Sequence, residues 1–262
     1  MRIVTPVSNF FEDLKVGVDL CSVSDSLEAR PDLNIPGFLW SIPVSHAHFS
    51  HPSLDAQLMW SEEQRRQVLD VVERFEETLG TISFHLSRDY DSPSQNAAGQ
   101  FIPSGVRLEE TQMIANCEQN MAWIPGVFRG EILLENNNYF ATGAYETVTN
   151  PTFISQLVSN CADGLLFDVA HAKVSSNNLG VPYQEYLYKL LTVPIGQIHL
   201  SRPRLISNGI MIDDHGLPSY SDFTDLRDML GADEVSRLPI TVEHYRDSDG
   251  VKDFITSIRG DD

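Results

Sequence analysis

Short apolar runs alternate with amphipathic helical windows along most of the chain, and this rhythm constrains the fold more than any other feature. Such alternation is the pattern of βαβ units, in which each helix carries the chain back so that successive strands pair in parallel. The predicted strands are Val16–Val23, Trp40–His46, Thr81–His85, Glu131–Asn136, Gly164–Val169, Ile195–Leu200, Ile210–Asp213 and Pro239–Glu243. Runs such as Leu165-Leu166-Phe167 are nearly continuous, as strands covered on both faces require. The helices between them have readable ends. Ser61 and Gln64 form a capping box, and Val68, Leu69, Val72, Phe75 and Leu79 follow on one face up to Gly80. Asn150-Pro151 reads as an N-cap with proline at the first helical position, and Gly231 closes a stripe of Phe223, Leu226 and Leu230. The Ser-, Pro-, Gly- and Asn-rich stretch Tyr90–Val106 reads as a long loop. At 262 residues the chain is close to the ~250 of one barrel. The expected fold is therefore α/β, a TIM (β/α)8-type barrel of the xylose-isomerase-like kind, with residues 1–262 forming a single domain.

Charge narrows the partners. Thirty-seven acidic residues against 18 basic give a net charge of −19, which repels phosphate backbones and anionic lipids. Nucleic acid and membrane surfaces are thus poor partners, and neutral or basic ones better. Cys21, Cys117 and Cys161 form no CxxC pair, so neither a disulfide framework nor a thiolate zinc site is indicated. Cys117, in a predicted helix Gln112–Trp123, reads as core. No stretch of ~18 apolar residues and no signal-like N-terminus is seen. The expected location is cytoplasmic.

The informative positions are where the apolar runs stop. Thr81–Phe84 ends at His85, Ile132–Leu134 at Glu135, and Leu165–Phe167 at Asp168, with His171 three residues on. Gln197-Ile198 ends at His199, and Ile240–Val242 at Glu243. Asp213 and His215 stand two apart, and Ser45-His46-Ala47-His48 puts two histidines on one strand face. In a parallel barrel the C-terminal strand ends meet on one rim, where active sites lie. Imidazole and carboxylate suit zinc, iron and manganese. His46, His85, Glu135, Asp168, His171, His199, Asp213, His215 and Glu243 are too many donors for one ion that keeps a place open for substrate, so two or three ions are expected. His48 and His51 are alternatives to His46 as the first ligand. His244 faces away from Glu243 and reads as structural. Taken singly, each has an ordinary reading: a strand-end histidine is commonly just hydrogen-bonded, Asp213 could cap a turn, and Glu243 could pair with an arginine. Their shared position at successive strand ends makes the cluster. No GxGxxG, Walker or GxSxG motif supports a dinucleotide, P-loop or serine-hydrolase reading.

The blocks LLENNNYF (133–140), LLFDVAHAKVSSNNLG (165–180), QIHLSRPR (197–204), IDDHGLPS (212–219) and TVEHYRD (241–247) resemble the multinuclear non-heme iron-dependent oxidases. The resemblance runs over about residues 80–255 and is weak before that. It implies a TIM barrel with two or three irons in mixed Fe(II)/Fe(III) states, and dioxygen as co-substrate. It also implies an oxidatively modified substrate, either a peptide, often at cysteine, or a small thiol or amine metabolite, in natural-product biosynthesis. A partner protein that presents the peptide is implied as well. The family's iron-binding pattern falls on the nine residues above, and Asn136, Tyr139 and Asn178 fall in the same motifs, near the substrate. One departure stands out: the family usually has a pair of asparagines after the Asp168 position, where this chain has Ala170 and His171. The ligand order is also similar to that of endonuclease IV. The alternative is therefore a multinuclear zinc or manganese hydrolase or isomerase of the endonuclease IV or xylose isomerase type.

Overall fold

The computed structural model describes residues 1–7, 20, 22–30, 42–49 and 54–260. Along the chain the elements are β1 (Arg2–Pro6), β2 (Ser26–Ala29), β3 (Val44–Phe49), α1 (Glu62–Arg74), β4 (Thr81–His85), β5 (Ser94–Gln95), β6 (Phe101–Ile102), α2 (Glu110–Trp123), β7 (Glu131–Glu135), α3 (Pro151–Cys161) and β8 (Gly164–Asp168). They continue with α4 (Val169–Leu179), α5 (Tyr183–Leu190), β9 (Ile195–Leu200), β10 (Arg202–Leu205), β11 (Met211–Gly216), α6 (Tyr220–Leu230), α7 (Ala232–Arg237), β12 (Pro239–Val242) and α8 (Ser248–Arg259). Strands β1, β2, β3, β4, β7, β8, β9 and β12 pair in parallel, in that order, and close into a barrel through β12 and β1.

Each barrel strand has two chemically different faces. Ile82 and Phe84, Ile132 and Leu134, Leu165 and Phe167, Ile198 and Leu200, and Ile240 and Val242 all join the core that the helices cover. Successive strand side chains alternate in direction, so the residues between them point into the barrel. They are largely polar: Glu28, His46, His48, Ser83, Glu135, Asp168, Gln197, His199 and Thr241 are all buried. A barrel interior usually holds layers of Val, Ile and Leu. Here apolar filling is kept to the floor, where Leu133 packs so closely that a Cβ on Gly196 would lie 2.5 Å from its Cδ2.

The helix boundaries follow the local chemistry. Ser61 and Gln64 make the reciprocal capping box on α1, and the Asn150 side chain accepts from the amide of Thr152 with Pro151 at the start of α3. Cys117 is buried in α2.

Several expectations need correction. The strand expected at Val16–Val23 falls largely outside the described residues, and the early barrel strands are instead β1 and β2. The strand placed at Trp40–His46 runs from Val44 to Phe49, which moves the rim beyond His46. Ile210–Asp213 is no barrel strand. β11 pairs antiparallel with β10 in a hairpin attached after β9. The Tyr90–Val106 loop contains the β5–β6 hairpin, where Phe101 packs with Ala144 and Tyr145 and its amide donates to Tyr145 Oη at 2.7 Å.

Candidate metal centre

The cluster is built outward from Glu135, at the end of β7. Its carboxylate is in contact with His85 Nε2 at the end of β4, and lies 3.3 Å from His48 Nε2 on β3. On the other side it lies 3.5 Å from His199 Nδ1 on β9 and 3.6 Å from His171 Nδ1 on α4. His199 Nδ1 is also 3.5 Å from Glu243 Oε2, just past β12. His171 Nε2 lies 3.7 Å from Asp168 Oδ2 and 3.3 Å from Asp213 Oδ2. His215 Nε2 is 3.5 Å from Asp213 Oδ2, and its Nδ1 is 3.8 Å from Glu243 Oε2. The hairpin thus adds Asp213 and His215 to a set otherwise carried by strand ends and the start of α4.

Groups behind the cluster hold its members in place. His48 Nδ1 is 2.8 Å from Ser83 Oγ, which leaves Nε2 toward Glu135. His171 Nδ1 donates to the Asn136 carbonyl at 2.8 Å, which leaves Nε2 toward the two aspartates. His199 Nε2 is 2.9 Å from Glu28 Oε2, which leaves Nδ1 toward Glu135 and Glu243. Glu28 Oε2 also accepts from Gln197 and from Thr241 Oγ1. Arg30 Nη2 donates to Glu243 Oε1 at 2.9 Å, and Tyr245 Oη donates to the same oxygen at 3.0 Å. An imidazole whose outer nitrogen is fixed by an acceptor while the inner one faces carboxylates is the arrangement that supports metal ligation.

The electrostatics point the same way. Burial raises the Asp168 carboxyl well above the usual range, reinforced by Asp213, Glu243 and Glu135 and opposed by His171. Burial would raise Glu135 too, but His85, His48 and His199 hold it well below that range. Burial would lower His171, yet Asp168, Asp213 and Glu135 hold it well above the ordinary imidazole value, as Glu28, Glu243 and Glu135 do for His199. The shifts set buried carboxylates against buried imidazoles in one site, the pattern of charge a divalent cation could meet by displacing protons.

A direct test of fit is whether donor atoms are left over. Asp168 Oδ2 and His199 Nδ1 are buried without a hydrogen-bond partner, and Glu135 Oε2 is buried against the His85 and His48 nitrogens without hydrogen-bond geometry to either. Three groups among the described residues bring ligand atoms within 4.8 Å of one another: His48–His85–Glu135, Glu28–His199–Glu243 and Glu135–Asp168–His199. Buried polar atoms are nearly always satisfied, so such a convergence of orphans fits metal ions. The nitrogen and oxygen donors, with no thiolate, suit iron, zinc or manganese.

Sequence expectation and structure differ at four places. His46 is not in the cluster. It lies one pleat deeper, with Nδ1 2.6 Å from Ser45 Oγ, pushed down to about 4 by burial. His48 takes its place, because the strand continues beyond His46. His51 lies outside the described residues. Glu28 was missed, although Ser26-Leu27-Glu28-Ala29 carries the same polar–apolar alternation as Thr81–His85. Asn136 and Asn178, expected near substrate, are engaged with backbone. The Asn136 amide donates to the Asp168 carbonyl and accepts from its N–H, both at 2.9 Å, and Asn178 bonds the hairpin. Tyr139 lies at intermediate exposure, its amide donating to Ser175 Oγ. His244, read as structural from the sequence, donates its Nδ1–H to the His215 carbonyl at 2.7 Å. His215 itself has φ 42°, a left-handed conformation that non-glycine residues adopt at a cost.

Solved structures similar to this chain include endonuclease IV from Thermus thermophilus, with a TM-score of 0.57 and 12% identity, covering 99% of this chain and 98% of that one. Mannonate dehydratase from Streptococcus suis aligns with a TM-score of 0.58 and 10% identity over 99% and 92% of the two chains. A xylose isomerase-like TIM barrel protein from Mycobacterium smegmatis, in complex with magnesium, aligns at 0.54 and 12% over 98% and 96%. At such identities these likenesses establish the fold alone. Among curated sequences, a UPF0276 protein of Caulobacter vibrioides is 31% identical over 101 residues, 38% of this chain and 36% of that protein. Another, from Paraburkholderia phytofirmans, is 28% identical over 134 residues, 50% of this chain and 41% of that protein. The chain therefore spans well under half the length of these curated relatives. No helix among the described residues is long and apolar enough to cross a membrane. The model of the family described as RiPP precursor modification enzyme MbnB/TglH/ChrH matches residues 53–256, most of the cluster included, and the chain belongs to that family.

Proposed function

We propose that this protein is a multinuclear iron enzyme that uses dioxygen to modify a ribosomally made precursor peptide, with cysteine as the favoured target. A small thiol or amine metabolite is the other substrate class, and a peptide-presenting partner protein is part of the reading. The observation that carries it is the convergence of Glu135, Asp168 and His199 with orphaned donor atoms, flanked by His48–His85 on one side and by His171, Asp213, His215 and Glu243 on the other. The family's description as precursor-modifying enzymes supports the substrate class.

Two or three irons held there, in mixed Fe(II)/Fe(III) states, would supply one-electron chemistry with dioxygen and Lewis acidity toward a substrate donor. Glu135, facing both sides of the cluster, would help hold ions on either side and offset their charge. Glu28, Ser83 and Asn136 fix the imidazoles before substrate arrives, so no reorganisation is needed at the moment of reaction. Arg30 and Tyr245 hold Glu243 Oε1 and direct Oε2 to the cluster. Tyr139, half-buried, is the residue of the expected substrate set whose side chain would meet substrate.

The test is elemental analysis of protein from iron-supplemented cells, followed by oxygen uptake with a cysteine-containing precursor peptide. Two to three equivalents, mostly iron, and peptide-dependent uptake are expected. One equivalent or fewer, or zinc alone, would overturn the oxidase reading. A colourless zinc or manganese protein would favour the hydrolase or isomerase alternative, which the nitrogen and oxygen donor set also accommodates.

A further inference from the structure

Asp213 and His215 reach the cluster from a two-stranded hairpin, not from a barrel strand, so something must hold that hairpin at its working distance. In the β10–β11 ladder, Leu205 opposes Met211 and Arg204 opposes Ile212. The Ile206 amide bonds the Ile210 carbonyl at 2.9 Å. Pairs alternate between bonded and non-bonded in an antiparallel ladder, so the Met211 N–H and C=O face outward, away from β10. Both are met by one side chain. Asn178 Oδ1 accepts from the Met211 N–H at 2.8 Å, and Asn178 Nδ2 donates to the Met211 carbonyl at 2.9 Å. The carboxamide stands in for one residue of a third strand. Asn178 Nδ2 also donates to the Tyr139 carbonyl at 2.9 Å, so both amide hydrogens are engaged.

The position along α4 matters as much as the bonds. Asn178 is seven residues after His171, about two turns, so both lie on one face of the helix. That face meets β11 twice: His171 at Asp213, 3.3 Å away, and Asn178 at Met211. The start of the same helix is capped by Asp168. We infer that Asn178 is a positioning residue: it docks the hairpin on α4 and the Tyr139 segment, and so sets the place of Asp213 and His215 at the metal cluster. This rests on the metal reading proposed above.

The test separates the two. Hydrogen exchange of the 206–216 segment is measured on metal-free protein, and anaerobically loaded ferrous iron is withdrawn by a competing chelator. Asn178→Ala removes the whole bridge. Asn178→Asp keeps the shape but cannot donate to either carbonyl. Asn178→Ser, which keeps one donor, serves if the others fail to fold. Both variants should exchange the segment at least about tenfold faster, Asn178→Ala more than Asn178→Asp, because the first loses all three of the bridge's hydrogen bonds and the second two. One iron equivalent should be held about 10- to 100-fold more weakly, the usual effect of a lost supporting residue, while the rest stay as tight as in wild type. Unchanged exchange in both variants, or wild-type behaviour of Asn178→Asp, would overturn the inference, the latter showing a space-filling role. Wild-type protein that binds fewer than two equivalents would overturn the metal reading instead, whatever the exchange data show.

Discussion

Replacing Glu28 with glutamine is the sharpest probe of how the cluster is supported. Glu28 is fully buried, and its Oε2 receives His199 Nε2 at 2.9 Å along with Gln197 and Thr241. Glutamine keeps the volume and one acceptor but removes the charge. A hydrogen bond to a charged partner contributes about 1.5–3 kcal/mol against about 0.5–1.5 for a neutral one, so roughly 1–1.5 kcal/mol of His199 orientation is lost, near tenfold in metal affinity. If the amide instead turns its NH2 toward His199, the imidazole N–H loses its acceptor and the effect approaches the hundredfold end of supporting-residue losses. The number of metals bound should not change, because His199 Nδ1, not Nε2, faces Glu135 and Glu243. Anaerobic titration against a chromophoric chelator reads both quantities, with a thermal melt of the metal-free protein as the folding control. Loss of one whole equivalent would show that Glu28 is itself a ligand within the Glu28–His199–Glu243 group. Affinity within twofold of wild type would show that His199 needs no such partner. Either result refutes the supporting role.

Other outcomes follow from the same geometry. His48→Ala should remove metal from the His48–His85–Glu135 group, whereas His46→Ala should keep full metal content and cost about 1–3 kcal/mol in denaturant stability; the reverse pattern would restore His46 as the ligand. His171→Asn should lower occupancy of the ion shared with Asp213, read by anomalous scattering at the iron edge; unchanged peaks would place His171 outside the metal shell. Gly130→Ala should destabilise by at least about 1–3 kcal/mol in a urea melt, since a Cβ there would lie 2.1 Å from the Gly80 carbonyl oxygen. Burial opposes ionisation of Asp222, but the Ser219 amide, Arg202, the Ser219 hydroxyl and Lys173 bring it down to about 2. Its stabilisation is therefore complete above its unfolded value near 3.9 and lost as pH falls through about 2. Asp222→Asn should flatten that acid limb of the stability profile, and an unchanged limb would count against it.

How much of this could be read from the chain depended on where regularity held. Between Thr81 and His199 the strand ends were legible because each apolar run stops at a histidine or carboxylate, and at Asp168 a capped helix follows at once. Tertiary context decided the rest. His46 and His48 share a strand face, so only the length of β3 tells which one reaches the rim. Glu28 lies in a four-residue strand with no long apolar run to mark it. Met211–Gly216 reads like a barrel strand locally, and only its antiparallel pairing with β10 shows otherwise. Asn178 looked substrate-facing because its motif lies near the ligands. Its bonds to Met211 and Tyr139 run between segments distant in sequence.

The two-sided strands have a bearing on how such a protein can diversify. Adhesion between sheet and helices rests on Ile82, Phe84, Leu134, Phe167, Ile198 and Ile240, while the alternate residues carry the chemistry. Folding load and reactivity are thus interleaved along one backbone yet separated in space by the thickness of the sheet. A substitution at Ser83, Gln197 or Thr241 alters what surrounds the histidine–carboxylate cluster without loosening the outer packing. Drift or deliberate libraries confined to those inward positions would sample new reactivities on a scaffold that stays assembled. Their apolar neighbours would answer chiefly to temperature.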